Sequence, residues 1–417
     1  MNIFAAVILA AVLVEFTLSL VANILNLKAL KMEPPALLGD IYTAETYRKS
    51  QEYTRENTRF GFFSGSFNLV LLLVFWFSGG FNWLDGIVRS WGFTDIVNGG
   101  LYVAILGLAY SLITLPFSIY ATFVIEERYG FNKTTLRTFI LDRLKGAGLA
   151  ALLGIPLLAG ILALFQYAGA YAWLLCWGAV TLYSLIIEFI APNWIMPLFN
   201  KFTPMQPGEL RDAILSYAGS VNFPVQNIFV MDGSRRSSKS NAFFTGFGRN
   251  KRIALFDTLI AQHTTGELVA VLAHEIGHYK KKHILQGVAI AVLHAGLVFF
   301  LLSFFLNSPG LYQAFYMQQP SVYSGLLFFS MLYTPLEMII DILLNMLSRK
   351  NEYAADRFAA LTTGDSADMI QALKKLAGHN LSNLTPHPFY AFLNYTHPPL
   401  LQRVQAIQRS AVESRAA

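Results

Sequence analysis

Seven stretches of this chain, at 3–25, 62–84, 101–125, 147–167, 170–191, 284–306 and 324–346, are apolar runs of 21 to 25 residues without a single lysine or arginine. Each is long enough, as a helix rising about 1.5 Å per residue, to cross the roughly 30 Å hydrocarbon core of a bilayer. The first run is too long for a signal-peptide core and has no basic stretch before it, so it reads as a spanning helix. Between the fourth and fifth runs the only turn signal is Gln166-Tyr-Ala-Gly-Ala170. Composition agrees with a membrane protein: 54% of residues are hydrophobic and 13% charged, against about 25% charged in soluble chains. The net charge of +6 reads as the basic face of such a protein and not as a nucleic-acid surface. The single Cys176 excludes an intramolecular disulfide and a cysteine-based metal site.

The basic residues orient the spans. With the first span running from outside to inside, thirty of the 31 lysines and arginines fall on inside segments and only Arg89 falls outside. The N-terminus is therefore expected outside and the C-terminus in the cytoplasm. Residues 192–283 form a long hydrophilic insertion on the same side as the tail 347–417, so the two can build one domain. The expected organisation is spans one to five in 1–191, a first domain segment in 192–283, spans six and seven in 284–346, and a second domain segment in 347–417. Within the insertion, 208–219 reads as a helix, 227–232, 241–248 and 252–257 as strands, and Gly248-Arg-Asn-Lys251 as the turn joining the last two. A helix begins near Thr264, where Thr264-Thr-Gly-Glu267 fits a capping box. The polar run Ser234-Arg-Arg-Ser-Ser-Lys-Ser240 reads as a mobile loop.

That last helix carries His274-Glu-Ile-Gly-His278. Positions i and i+4 share a helix face, so His274 and His278 can aim ring nitrogens at one metal ion with Glu275 beside them as a general base. A catalytic zinc site takes three protein ligands and keeps a fourth position open. The third is found in Asn351-Glu-Tyr-Ala-Ala-Asp356: the sixth and seventh spans form a hairpin whose inner ends are neighbours, which brings Glu352 to the histidines. Asp356, one turn on, is placed to accept a hydrogen bond from the outer nitrogen of His274 or His278. The expected cofactor is one Zn²⁺ per chain.

These motifs, with Ala191-Pro-Asn-Trp-Ile-Met-Pro-Leu-Phe-Asn-Lys-Phe-Thr-Pro204, Ser240-Asn-Ala-Phe243, Thr396-His-Pro-Pro399 and Tyr47-Arg-Lys-Ser-Gln-Glu-Tyr53, resemble the CAAX prenyl protease 1 family, integral membrane zinc metalloproteases of the gluzincin type. The resemblance covers nearly the whole chain. It implies an α-helical polytopic membrane protein whose seven helices enclose a chamber, capped on the cytoplasmic side by a small α+β zincin-type domain that cleaves peptides near their C-termini. It also implies that His397 and Arg403 bind substrate or stabilise the oxyanion, and that Asn241, Ala242 and Phe243 form an edge strand that pairs with extended substrate. Read without the resemblance, His397 is a surface histidine beside a proline turn and 241–243 an ordinary strand.

The expected partners are a peptide or protein substrate, lipidated or not, and membrane lipid; a monomer is compatible with the sequence, and no nucleic acid is expected. Two other functions share these features: a quality-control protease for membrane proteins, and a transporter or channel with structural zinc, which an intact Glu275 argues against. Short loops point to a bacterial inner membrane. His283, five residues past the motif, falls off the metal-facing side of a continuous helix and reads as solvated or interfacial. Glu15, Glu188, His294, Glu337 and Asp341 lie in or near spans, where an ionisable group faces either a wet cavity or a neighbouring helix.

Overall fold

Each apolar run becomes a helix whose ends are set by local chemistry. The computed structural model describes residues 1–417 except 32, 41, 226, 246–251, 365 and 417, with the side chains of 244, 245, 411 and 414–416 also undescribed; the turn expected at 248–251 lies outside the described residues. Seven helices are long and apolar enough to cross a membrane: Ile3–Lys28, Ala44–Phe77, Asp95–Glu126, Leu136–Tyr167, Gly169–Phe199, His283–Phe305 and Val322–Thr362. The side chains of Asn2, Thr43 and Ser321 accept backbone N–H groups at the starts of the first, second and seventh, as N-caps do. The fourth and fifth part at Gly169, whose φ of +56° suits glycine.

The second run ends earlier than its hydropathy suggests. Its helix stops at Phe77, Gly79 takes a left-handed φ of +75°, and a separate helix, Gly80–Ser90, follows. An apolar run continues across such a break, but the backbone does not.

The spans neighbour one another in chain order, and the seventh closes on the first. Only 6–17% of the most apolar window in each is buried by the rest of the chain, which leaves most of that surface to lipid and to the cavities between the spans. A cavity of about 590 Å³ lies between the sixth and seventh spans, and one of about 570 Å³ continues from it at His294, lined also by Glu15, Glu337 and Asp341. His294 Nε2 lies 3.3 Å from Glu337 Oε2 and 3.1 Å from the Tyr333 hydroxyl. These four ionisable groups thus face the cavity, and His294 also bonds across helices; Glu188 is exposed on the fifth helix.

One end of the ring is floored by aromatic packing. Trp76, Phe81, Phe315 and Phe328 are buried together under the Gly80–Ser90 helix, and the Trp76 indole donates to the Ala314 carbonyl at 2.7 Å. The other end carries a four-stranded sheet: β1 (Phe202–Pro204), β2 (Asn227–Met231), β3 (Ala242–Thr245) and β4 (Arg252–Phe256), in the order β1-β2-β4-β3. The β2–β4 pair is parallel and the outer two pairs are antiparallel. β1, three residues long, is too short to leave a periodic signal. The segment expected to be a mobile loop at 234–240 is tied down instead: Arg236 and Lys239 meet Asp142 and Glu126, acids far away in sequence.

Candidate active site

Thr264 starts the motif helix, Thr265–Lys280, with the expected capping box: its Oγ1 accepts from Glu267 N at 3.3 Å, and Glu267 Oε2 accepts from Thr264 N at 2.9 Å. The helix packs most closely on Val322–Thr362. Gly277 makes this possible, because a Cβ there would lie 3.1 Å from Ala355 Cα and 3.2 Å from its carbonyl oxygen. Any larger residue would push the two backbones apart. Glu352, one turn before Asp356 on a single unbroken helix, thereby reaches the histidines.

His274 Nε2 and His278 Nε2 are 3.1 Å apart, and Glu352 lies 3.4 Å from the first and 3.2 Å from the second. A tetrahedral metal ion bound at about 2.0–2.1 Å spaces its ligand atoms about 3.3 Å apart, so the three donors fit such an ion. Glu352 Oε2 is buried and takes no hydrogen bond, an orphan that a metal would satisfy. No other such group of three is found among the described residues.

Behind the cluster, His274 Nδ1 sits 2.8 Å from Asp356 Oδ1, a close electrostatic contact whose angle falls outside a well-formed hydrogen bond. Of the two histidines, it is therefore His274 that meets Asp356. Asp356 also takes a two-pronged grip from Arg403, Nε at 2.8 Å and Nη2 at 2.6 Å, and Arg403 Nη2 is 3.5 Å from Glu352 Oε2. Burial disfavours the charged Arg403, but Asp356, then Glu352 and Glu275, more than compensate and hold its pKa above the usual value. His397 Nε2 approaches Glu352 Oε1 to 3.3 Å from the cavity side.

Glu275 lines the same cavity, and burial pushes its carboxyl above the usual range against the pull of the neighbouring His274 and His278. Asn241, Ala242 and Phe243 lie at and beside β3, which has β4 as its one strand neighbour among the described residues and packs along the motif helix. Two residues here escape sequence reasoning. Gly277 lies inside the motif and is silent without its neighbour Ala355. His283 Nδ1 lies 3.1 Å from His278 Nδ1, the ring nitrogen that faces away from the cluster, a contact a continuous helix would not make, because the helix breaks at Lys281 and Lys282 takes a φ of +60° before the sixth span begins.

A two-histidine helix, a glutamate from a second helix and a free carboxylate at the mouth of a membrane-walled cavity define an integral membrane metalloprotease. Sequence models of two families match, "CAAX prenyl protease N-terminal, five membrane helices" over residues 23–201 and "Peptidase family M48" over 204–411; the CAAX prenyl protease 1 homolog of Arabidopsis thaliana is 37% identical over 97% of both chains, and the CAAX prenyl protease 1 of Saccharomyces cerevisiae 35% identical over 89% of this chain and 88% of its own. The chain belongs to the CAAX prenyl protease 1 family within the M48 metalloproteases. It is also similar to the crystal structure of S. mikatae Ste24p, with a TM-score of 0.91 and 34% identity over 98% of this chain and 99% of that one. Membership removes the transporter reading and implies a bound metal. These relatives are eukaryotic and give the expectation of a bacterial inner membrane no support.

Proposed function

We propose that this protein is a zinc-dependent endopeptidase that hydrolyses peptide bonds near the C-termini of membrane-associated peptides, prenylated CAAX-type peptides among them. The observation that carries the reading is the convergence of His274, His278 and Glu352 at the mouth of a cavity that Glu275 also lines. The names of the relatives, CAAX prenyl protease 1, point to the substrate class. The positive-inside distribution of lysine and arginine supports a site on the cytoplasmic side, with 192–283 and 347–417 together making the protease domain.

In this reading His274, His278 and Glu352 hold the zinc, which when bound supplies Lewis acidity to the scissile carbonyl and to an attacking water. Asp356 orients His274, and His283 meets the outer nitrogen of His278. Glu275 takes the proton from the attacking water and delivers it to the leaving amine nitrogen; a carboxyl that burial holds above the usual range suits both roles. His397, whose ring burial holds below its usual pKa, offers an N–H donor from the cavity side, and Arg403 adds positive charge from behind, where the oxyanion develops. Asn241, Ala242 and Phe243 offer to an extended substrate a strand edge that pairs with no other strand among the described residues.

The test is Glu275→Gln in purified protein. Metal content by elemental analysis should be unchanged while peptide cleavage falls by about 10²–10⁴-fold; full activity in this variant would remove Glu275 from the mechanism. Run beside it, a prenylated peptide and an unmodified membrane-protein fragment separate CAAX processing from quality-control proteolysis by which one is cleaved faster.

A further inference from the structure

The segment that leads into β3 has its polar groups taken up by three distant parts of the chain. Lys239 Nζ lies 2.8 Å from Glu126 Oε2, at the end of the third span, and donates to the Tyr53 hydroxyl of the second-span helix at 2.8 Å; that hydroxyl itself donates to Glu126. The ammonium also sits 4.5 Å from the Phe131 ring centre and 5.1 Å from that of Tyr53, within cation–π range. Arg236 grips Asp142 of the fourth-span helix through Nε and Nη2 at 2.7 and 2.9 Å. Between these two side chains the backbone is tied as well: Lys133 N donates to Arg236 O and Ser238 N to Phe131 O, both at 3.0 Å, around an antiparallel bridge of Asn132 with Ser237. From the third direction Asn380 accepts from Ser240 N at 3.1 Å and donates to Ser240 O at 3.2 Å. Ala242, the first residue of β3, is two positions further on.

A solvated polar run does not look like this. Lys239 and Arg236 are 35% and 21% exposed at their side chains, and ordering two such long side chains costs rotamer entropy that a loop of no consequence has no reason to bear. A four-residue strand with one described neighbour does little by itself to fix where its outer edge lies, and an edge that must be ordered each time a peptide binds gives up affinity that a preorganised edge keeps.

We propose that Lys239 and Arg236 are positioning residues for peptide hydrolysis: through the clamp on Glu126, Tyr53 and Asp142 they hold the free edge of β3 at a fixed place relative to the metal cluster, so that the chamber wall itself sets the substrate's alignment. The proposal rests on the reading of Asn241–Phe243 as the substrate-pairing edge. It concerns alignment of bound peptide and not metal binding or proton transfer, so its mark is a rise in KM.

The experiment is steady-state cleavage by full-length purified protein with metal content measured in parallel. Lys239→Ala should raise KM on the order of tenfold with kcat and metal content nearly unchanged. Glu126→Gln should move KM the same way by less, and Lys239→Arg, which keeps charge and reach, should return it most of the way. Combining Lys239→Ala with Glu126→Gln should add little, because both break one contact. An unchanged KM, or a loss carried by kcat or by metal content, overturns the proposal. If Lys239→Ala yields no folded protein, Glu126→Gln makes the same comparison, and equal loss of folded protein in both makes the clamp a folding element and overturns its positioning role. A wild type that cleaves nothing overturns the peptidase reading and the clamp with it; an active wild type whose KM ignores the clamp overturns the clamp alone.

Discussion

At the floor of the ring Phe315 stacks on Phe328, centroids 3.9 Å apart and planes 4° from parallel, and on Trp76 at 4.7 Å. At the opposite end six side chains, His274, His278, Glu352, Asp356, His397 and Arg403, each lie within 3.5 Å of another of the set. The floor is held by contacts that are non-directional and roughly proportional to area. The upper end is held by contacts in which each group is oriented by the next, and removing one strands another in a low-dielectric setting. The difference separates stability from chemistry. Substitution in the floor should cost folding free energy and spare the site, and substitution at the cluster should cost metal and activity first.

The largest effect should come from Glu352→Ala, which removes one of the three proposed metal donors: metal content should fall to near zero and cleavage with it, while thermal unfolding still reports an intact floor. Retention of a full complement of metal would break the assignment. Phe315→Ala should follow, with a loss of about 3–5 kcal/mol in unfolding stability and metal affinity unchanged; a floor variant that loses metal would show that the two ends are coupled. Asp356→Asn should be smaller, weakening metal affinity about 10–100-fold through the orientation of His274 and through an Arg403 left without its countercharge. Metal titration against a chromophoric chelator reads this, and wild-type affinity would move Asp356 out of the site's support.

Much of this was legible in the sequence because its period or its length exceeds local noise. Seven apolar runs mark seven helices, His274 and His278 share a face by spacing alone, and Glu352 follows from the hairpin of the last two spans. The misses have physical causes. The helix break at Gly79 does not interrupt hydropathy. His283 was misplaced because Lys281 and Lys282, ordinary helix formers, turn the chain there. The run 234–240 looked free because Glu126, Asp142 and Asn380 are 94 or more residues away from the groups they hold, and nothing local announces them.

The helix Val322–Thr362, 41 residues without interruption, has a mechanical meaning. One end is seated in the aromatic floor and the other presents Glu352, so membrane segment and site residue are parts of one lever roughly 60 Å long. Pro335 removes one rung of its ladder, the natural fulcrum, and Glu352 lies about 25 Å beyond it. A tilt of one degree there carries the carboxylate about 0.4 Å. The angle of the part beyond Pro335 therefore sets where Glu352 lies relative to the bilayer, and the close contact of Gly277 with Ala355 carries the two histidines along with it.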